Sequence, residues 1–311
     1  MRGTAIVRLA TIVTASGPHA HVRGRSGYVD IAEGTGDSRF RSMTSLLEAG
    51  PVAMDAVRKL VDRDGTEYGP EDLGPAVPRP GRILCLGLNY REHALEGGRE
   101  VPAWPESFVR CPGTVIGPFA DLVKPALTER FDFEGELGIV MGEGGRYIPA
   151  EKALSAIAGY VVLNDASARD WQRAGTQWTG GKNFDGTLPI GPELVTADEV
   201  DVSDLALTTR VNDHVMQSAR TSQMIVSIPS TVEFFSSFTR LLPGDVIATG
   251  TPGGVGFARQ PPVWLVPGDV VEVAVEGLGS IRNRVVAEED GVVAEEDGVA
   301  HWRWSPLRST P

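Results

Sequence analysis

A series of short apolar runs, each ended by Gly, Pro, Asn or Asp, fills the chain from residue 83 onwards. Runs of this length between turn residues predict strands. The clearest helical pattern among them is "TVEFFSSFTRLL" at 231–242. The sequence therefore predicts a mixed α/β, β-rich fold, a barrel or sandwich rather than a doubly wound sheet. The runs are "ILCLGL", "GELGIVMG", "IAGYVVLND", "LALTTRVN", "DVIATGT", "DVVEVAVEG" and "SIRNRVV".

Residues 1–64 predict a small α+β domain ahead of this region. "AIVRLATIV" and "GYVDIAE" favour strands, and "TSLLEAGPVAMDAVRKLVDRDG" favours two short helices around Pro51. Residues 65–82, "GTEYGPEDLGPAVPRPGR", are dense in Gly and Pro and predict a linker or a draped surface loop.

Residues 83–311 form the predicted larger domain, which ends in an acidic extension from about residue 285. There "VVAEEDG" occurs twice, at 285–291 and at 292–298. Two copies of a seven-residue unit are too few to sustain a coiled coil, so we interpret them as a local duplication in a solvated segment.

Composition excludes several classes of protein. A formal net charge of −12 over 311 residues leaves no basic face for nucleic acid. No apolar run approaches the length of a transmembrane helix, so no membrane partner is expected. Cys85 and Cys111 make no disulfide framework, which indicates a reducing cytoplasm. Arg8 interrupts the apolar start "MRGTAIVRLATIV", which we read as a first strand rather than a signal peptide.

The segment "FDFEGELGIVMG", at 131–142, carries carboxylates at alternate positions, namely Asp132, Glu134 and Glu136. Alternate side chains of a strand share one face, where like charges repel. Solvent exposure, pairing with Arg or Lys, or a bound cation would relieve the repulsion. No Arg or Lys lies between Arg130 and Arg146, so a hard divalent cation, Mg²⁺, Mn²⁺ or Ca²⁺, fits best.

Strand geometry limits which carboxylates share that ion. Residues i and i+2 lie roughly 7 Å apart and i and i+4 about 13 Å apart. Glu134 and Glu136 can converge on one ion, whereas Asp132 hardly reaches it. A third ligand is expected from another element, and Asp165, which ends the apolar run "IAGYVVLND", is the strongest candidate.

The segment "NDASARDWQRAG", at 164–175, predicts a helix. If the helix starts at Asp165, Arg169 and Gln172 follow at i+4 and i+7, near one helical face. One reading is a metal ligand with two hydrogen-bond donors aimed at one spot. The other is an N-cap aspartate and an ordinary surface pair.

His93 and Glu96, in "GLNYREHALEGG", stand three residues apart and meet on one helical turn. A carboxylate that orients an imidazole raises its basicity, which suits a general base. Flanking glycines would let this turn move as a lid. The alternative is a common surface pair.

Lys182 lies in the Gly-bounded segment "WTGGKNFDGTLPIGP", one of only four lysines. It is interpreted either as a stabiliser of an anion or enolate or as a solvated side chain. The Gly-rich "GDVIATGTPGGVG", at 244–256, lacks the pattern of a dinucleotide site. It is a candidate carboxylate-binding loop through its backbone N–H groups and the Thr251 hydroxyl.

The order of these motifs resembles that of the fumarylacetoacetate hydrolase family over about residues 80–285. "GLNYREHALE", "FDFEGELGIVMG", "NDASARDWQ", "GKNFDGTLPIGP" and "TSQMIVSIPSTVEFFSSFTRLLPGDVIATGTPGGVG" carry the resemblance. It implies a mixed β-roll catalytic domain, a variable N-terminal domain and a homodimer.

The resemblance also implies site residues and a substrate class. Members act on 2-oxo or β-diketo acids by C–C hydrolysis, decarboxylation or enol–keto isomerisation, with Mg²⁺ or Mn²⁺. The implied metal ligands are Glu134, Glu136 and Asp165, and the implied catalytic residues are His93, Glu96 and Lys182. The implied substrate-binding residues are Arg169, Gln172, Thr251, Arg110 and Tyr90.

Three positions depart from the family pattern. Arg110 stands where Lys is common, Gln223 where Asp is common, and Asn183 where Ser or Thr is frequent. Because of these departures, the resemblance does not indicate which particular family substrate this chain takes. The first hypothesis is a metal-dependent hydrolase of an acylpyruvate-like β-diketo acid, and its rivals are a decarboxylase and an enol–keto isomerase. A catalytically silent 2-oxoacid-binding protein is the alternative from another class.

Overall fold

The computed structural model describes residues 7–288, which form a ten-stranded sheet, a five-stranded sheet and a two-stranded ribbon. The predicted mixed α/β, strand-rich fold is confirmed. The strands are β1 (Arg8–Thr14), β2 (Gly17–Arg23), β3 (Tyr28–Asp30), β4 (Ile83–Gly87), β5 (Glu106–Arg110), β6 (Val115–Ile116), β7 (Leu122–Lys124), β8 (Phe131–Asp132), β9 (Gly135–Met141), β10 (Ile157–Asn164), β11 (Ser167–Ala168), β12 (Leu188–Thr196), β13 (Ala206–Val211), β14 (His214–Arg220), β15 (Val246–Ala248), β16 (Val270–Val275) and β17 (Gly279–Ala287).

The helices of the described part are short. The longest, α8, begins after the cap residue Ser227, whose side chain accepts from the Ser230 N–H, and ends at Phe238 rather than at the predicted residue 242. The helices are α1 (Ile31–Thr35), α2 (Met43–Glu48), α3 (Gly50–Arg58), α4 (Arg91–Glu96), α5 (Ala150–Ala153), α6 (Arg169–Gln172), α7 (Thr179–Lys182) and α8 (Ile228–Phe238). Among residues 7–288, no helix has the length and apolar character that crossing a bilayer requires.

The large sheet has the order β3-β2-β1-β12-β10-β9-β15-β4-β5, with β6 paired to β12. The smaller sheet has the order β14-β13-β16-β17-β7. Strand β9 lies between β10 and β15 and is buried along its whole length. Its side chains Leu137 and Ile139 share one hydrophobic cluster with Leu207 and Val273 of the smaller sheet. The two sheets therefore pack on the strand that carries Glu136.

The N-terminal strands continue the large sheet, because β1 pairs antiparallel with β12. Leu9 and Val22 share a hydrophobic cluster with Ile83 and Val140. The two helices predicted around Pro51 are confirmed as α2 and α3. The division into domains at residues 64 and 83 stays a prediction.

Residues 65–82 run along the N-terminal strands as a loop, within which Ala76 and Val77 are fully buried. The Thr66 N–H donates to the Tyr28 carbonyl at 2.8 Å, and the Gly74 N–H donates to the Thr11 carbonyl at 2.9 Å. At the other end of the chain, β17 runs through Ala287 beside β7. The acidic extension predicted from about residue 285 thus begins inside a strand, and the second "VVAEEDG" lies outside the described residues.

Candidate metal centre and acid–base site

Three buried carboxylates, those of Glu134, Glu136 and Asp165, come together where β9 and β10 pair. Glu134 lies between β8 and β9, and Glu136 lies on β9. Antiparallel pairing continues past β10, and the Asp165 N–H donates to the Glu134 carbonyl at 2.8 Å. One oxygen from each of the three carboxylates lies within 4.8 Å of the others. The structure therefore brings together the three ligands that the sequence predicts.

Cations from distant segments neutralise two of these carboxylates. The Lys182 Nζ lies 2.6 Å from both Glu134 and Asp165, and the Arg169 Nη1 lies 2.5 Å from Glu134. Arg110 pairs with the other Asp165 oxygen. The expectation that pairing does not relieve the repulsion is therefore wrong for Asp132 and Glu134, because Arg169 and Lys182 come from elements far along the chain.

Glu136 has no such cation among the described residues. Its Oε2 accepts from the Gly250 N–H at 2.7 Å. Burial, together with the charges of Asp165 and Glu134, raises the pKa of Glu136 well above its usual value. In Glu134 the charges of Arg169 and Lys182 outweigh burial and hold the pKa below its usual value. A carboxylate with uncompensated charge beside two others fits a hard divalent cation such as Mg²⁺ or Mn²⁺.

Asp132, which sequence reasoning leaves without a role, accepts four hydrogen bonds. Its Oδ1 accepts from the N–H groups of Gly256 at 2.8 Å and Phe133 at 2.9 Å. Its Oδ2 accepts from Arg169 Nε at 2.9 Å and from the Phe257 N–H at 3.0 Å. Asp132 thereby joins the 250–257 loop to Arg169.

The predicted acid–base pair is formed on α4, where the His93 Nδ1 lies 2.9 Å from a Glu96 oxygen. The second Glu96 oxygen accepts from the Gly254 N–H at 2.7 Å. An ionised carboxylate only accepts hydrogen bonds, so Nδ1–H donates to Glu96. The other ring nitrogen, Nε2, can then accept a proton. His93 is buried and lies edge-on to the Phe257 ring.

The Gly-rich loop binds carboxylates of the protein itself. Its N–H groups at Gly250, Gly254 and Gly256 donate to Glu136, Glu96 and Asp132 respectively. The Thr251 hydroxyl donates to the Gly135 carbonyl at 3.0 Å and accepts from Gln217 at 2.7 Å. The loop thus holds one carboxylate of the triad, Glu136, together with Glu96 and Asp132.

One cleft with an empty volume of about 540 Å³ lies beside these groups. Glu134 and His93 both line it, with cationic and aromatic side chains between them. Lys182, at the end of α7, is fully buried, so its interpretation as a solvated side chain is wrong. The remaining polar or aromatic lining residues are Arg99, Phe108, Arg169, Gln172, Arg173, Trp178, Lys182, Thr251 and Phe257.

Two predicted substrate contacts lie off the lining of this cleft. Arg110 is buried and donates to Asp165, to the Ala166 carbonyl and to the Thr187 hydroxyl, so it positions one carboxylate of the triad. Tyr90 is buried at the start of α4, and its hydroxyl has no partner within the described residues.

The predicted helix start at Asp165 is wrong. Asp165 follows β10, Ser167 and Ala168 form β11 beside β8, and α6 begins only at Arg169. Asp165 therefore reaches the site from a strand end and not from a helical face. Arg169 and Gln172 do share one turn, in which the Arg169 Nη1 donates to the Gln172 side-chain oxygen at 2.9 Å.

Several site residues are missing from the sequence-based set. Gln217 accepts from the Gly135 N–H and donates to Thr251, which couples β14 to β9 and the loop. Phe257, Trp178 and Arg173 line the cleft. No spacing or composition signal marks these residues, since each reaches the site through tertiary contacts.

The strand-rich fold and the buried carboxylate triad can be compared with those of known proteins. Residues 82–286 match the family described as "Fumarylacetoacetate (FAA) hydrolase C-terminal". The chain belongs to the fumarylacetoacetate hydrolase family, and the predicted resemblance is confirmed.

Individual known proteins are also similar to this chain. The chain is 39% identical over 282 residues to "Oxaloacetate tautomerase FAHD2A, mitochondrial" of Bos taurus, covering 87% of this chain and 88% of the relative. A structure of a fumarylacetoacetate hydrolase from Exiguobacterium antarcticum superposes with a TM-score of 0.78 at 32% identity over 91% of this chain and 100% of that one. The structure of a 5-carboxymethyl-2-hydroxymuconate delta-isomerase from Mycobacterium smegmatis superposes with a TM-score of 0.71 at 33% identity. That match covers 90% of this chain and 100% of the isomerase chain.

Proposed function

We propose that this protein is a divalent-metal-dependent enzyme that interconverts the enol and keto forms of a 2-oxo acid. The observation that carries this proposal is that Glu134, of the carboxylate triad, and His93, of the acid–base pair, line the same cleft. The names of the bovine tautomerase and the Mycobacterium smegmatis isomerase support the same reaction type.

Glu134, Glu136 and Asp165 would hold the cation, Mg²⁺ or Mn²⁺. When bound, the cation supplies a Lewis acid that stabilises negative charge on the 2-oxo oxygen. Arg110 and Lys182 fix the Asp165 carboxylate, and the Gly250 N–H fixes Glu136. The chain therefore holds the carboxylates of Asp165 and Glu136 in place through its own contacts.

His93 would transfer the proton. In the enol-to-keto direction the C2 hydroxyl loses a proton and C3 gains one, so one positioned base is sufficient. Glu96 holds the His93 ring through Nδ1, and Gly254 holds Glu96 in turn. The cations Lys182 and Arg169 stabilise the enolate that lies between the two forms.

C–C hydrolysis of an acylpyruvate is the second candidate, and the fixed His93–Glu96 pair favours it. An imidazole oriented by a carboxylate can take a proton from water, which then attacks the distal carbonyl. Decarboxylation of a 2-oxo diacid needs the same enolate stabilisation but no attacking water. The reactions differ in products, and all three are tested together.

The test is product-identified turnover of enol oxaloacetate and of an acylpyruvate panel, with Mn²⁺ and after chelation. His93→Gln is expected to lower the enol–keto rate roughly 10²- to 10⁴-fold while Mn²⁺ binding is retained. The control His214→Gln replaces an exposed histidine of β14 and is expected to keep the wild-type rate.

Three results would change the conclusion. Pyruvate release from acylpyruvates, faster than enol–keto exchange, would make hydrolysis the function. Binding of 2-oxo acids with no metal-dependent turnover would favour the catalytically silent protein. An unchanged rate in His93→Gln would remove His93 as the base. We also propose a homodimer, which light scattering of the purified protein tests.

A further inference from the structure

Two arginines, Arg99 and Arg173, stand at the mouth of the cleft. Arg99 follows α4, and Arg173 directly follows α6. Both line the inner cleft, which holds Glu134 and His93, and also the outer cleft that continues from it. A ligand that reaches from the carboxylate triad towards solvent therefore passes these two side chains.

Neither guanidinium has a hydrogen-bond or ion-pair partner within residues 7–288, whereas Arg110 and Arg169 in the same region are both paired. Arg99 lies over the Trp178 ring, with its Cζ 5.6 Å from the ring centroid. Stacking limits the movement of a guanidinium and leaves its N–H donors free.

The second arginine is held by Phe257. The Arg173 Cζ lies 4.1 Å from the centroid of that ring, and the Arg169 Cζ lies 4.6 Å from it. The charge of Arg169 is matched by Asp132 and Glu134, while that of Arg173 is not. The Phe257 ring thus contacts Arg169, which has ion-pair partners, and Arg173, which has none within residues 7–288.

The charges around Arg173 leave a local positive excess. Burial lowers the pKa of Arg173, and the positive charges of Arg169 and Arg99 lower it further. The charge of Asp132 raises this pKa, whereas that of Arg130 lowers it. Among the residues that line the outer cleft, the one carboxylate is the exposed Glu106. An anion would relieve this excess, even in a chain of net charge −12.

We propose that Arg99 and Arg173 form a subsite for the second carboxylate of a 2-oxo dicarboxylate. A guanidinium fork matches the two oxygens of a carboxylate, and cations beside a partly buried cleft bind it more strongly than in water. The inference rests on the proposed function, because it assumes that the 2-oxo acid end of the substrate lies at the carboxylate triad. The substrate class is thereby narrowed to diacids.

Calorimetry with two stable ligands tests the subsite without turnover. 2-Oxoglutarate and 2-oxopentanoate share the 2-oxo acid end, and a methyl group of the second replaces the distal carboxylate of the first. The Mn²⁺-loaded wild-type protein is expected to bind the diacid roughly 10- to 100-fold more tightly, as one charged hydrogen-bonded contact provides. High salt should reduce this ratio, because both arginines are exposed to solvent.

The variants are Arg99→Gln, Arg173→Gln and Arg173→Lys. Each Gln variant is expected to lower the affinity ratio towards one by weakening the diacid alone, and Arg173→Lys should retain an intermediate ratio. Arg284→Gln removes an equivalent exposed charge on β17 and is expected to keep the wild-type ratio.

The outcomes separate the two proposals. A wild-type ratio near one, with normal binding of 2-oxopentanoate, overturns the subsite and leaves the proposed function standing. Variants that weaken both ligands equally also overturn the subsite. A diacid preference that Arg173→Gln abolishes, in a protein without enol–keto turnover, supports the subsite and overturns the proposed function. If neither ligand binds the Mn²⁺-loaded wild type, both proposals fail.

Discussion

Replacing Asp132 by asparagine tests the buried network that holds the cleft. All four groups that contact this carboxylate are donors: the N–H groups of Phe133, Gly256 and Phe257, and the Nε of Arg169. The asparagine side chain has one acceptor oxygen and one NH₂ group. In either orientation its NH₂ group faces two donors, so two hydrogen bonds are lost and the Arg169 ion pair loses its charge.

The expected cost follows from the burial of this group. Asp132 is fully buried and Arg169 almost so. Removing one partner of a buried ion pair costs about 3–5 kcal/mol because the other charge is left uncompensated. Arg169 keeps Glu134 as a second partner at 2.5 Å, so we expect the lower end, about 3 kcal/mol of unfolding free energy.

Urea unfolding followed by circular dichroism measures the change, and kcat/KM is measured on the same preparations. Asp132→Asn is expected to lower both, because Arg169 and Phe257 line the cleft. The control Asp55→Asn replaces an exposed aspartate of α3. A loss below about 0.5 kcal/mol, within the range of ordinary surface changes, would refute the account of Asp132.

Three further changes have defined outcomes. Glu136→Gln should stabilise the metal-free protein, since burial and nearby carboxylates disfavour its charge, and should weaken Mn²⁺ binding by more than roughly 100-fold in calorimetry. Gly181→Ala would put a Cβ 2.4 Å from the Gln172 N and cost about 1–3 kcal/mol in urea unfolding. The control Gly180→Ala meets its nearest atom at 3.7 Å, and an equal loss there would contradict the account. Burial lowers the pKa of His21. Its contribution to the free energy of unfolding is therefore present above pH about 6.5 and is lost as the pH falls. His21→Gln should flatten this acid slope in thermal melts, and an unchanged slope would exclude His21 as its cause.

Local spacing allowed part of the site to be predicted from the sequence. Glu134 and Glu136 are two residues apart, and His93 and Glu96 are three apart, so strand and helix geometry alone predicts which side chains meet. The strand-rich class follows from short apolar runs between turn residues. These inferences hold because the interacting groups belong to one element.

The helix boundary near Asp165 shows where local reasoning failed. Spacing at i+4 and i+7 favours one helical face, yet β11 pairs with β8 and delays the helix to Arg169. Hydrogen bonds to another strand, which the segment's own letters do not specify, decided the local structure. Asp165 nevertheless lies beside Glu134 and Glu136, because it reaches them from the end of a strand. Its role as a metal ligand stays a prediction.

The sequence by itself predicted the carboxylate triad and the His93–Glu96 pair, which the structure brings together, and the strand-rich class. Only the tertiary structure decided which cation neutralises which carboxylate and what Asp132 does. Arg169 meets Asp132 across 37 positions, Lys182 meets Glu134 across 48, and Arg110 meets Asp165 across 55. The physical reason is that spacing fixes contacts within an element, whereas these pairs exist only after separate strands and helices pack together.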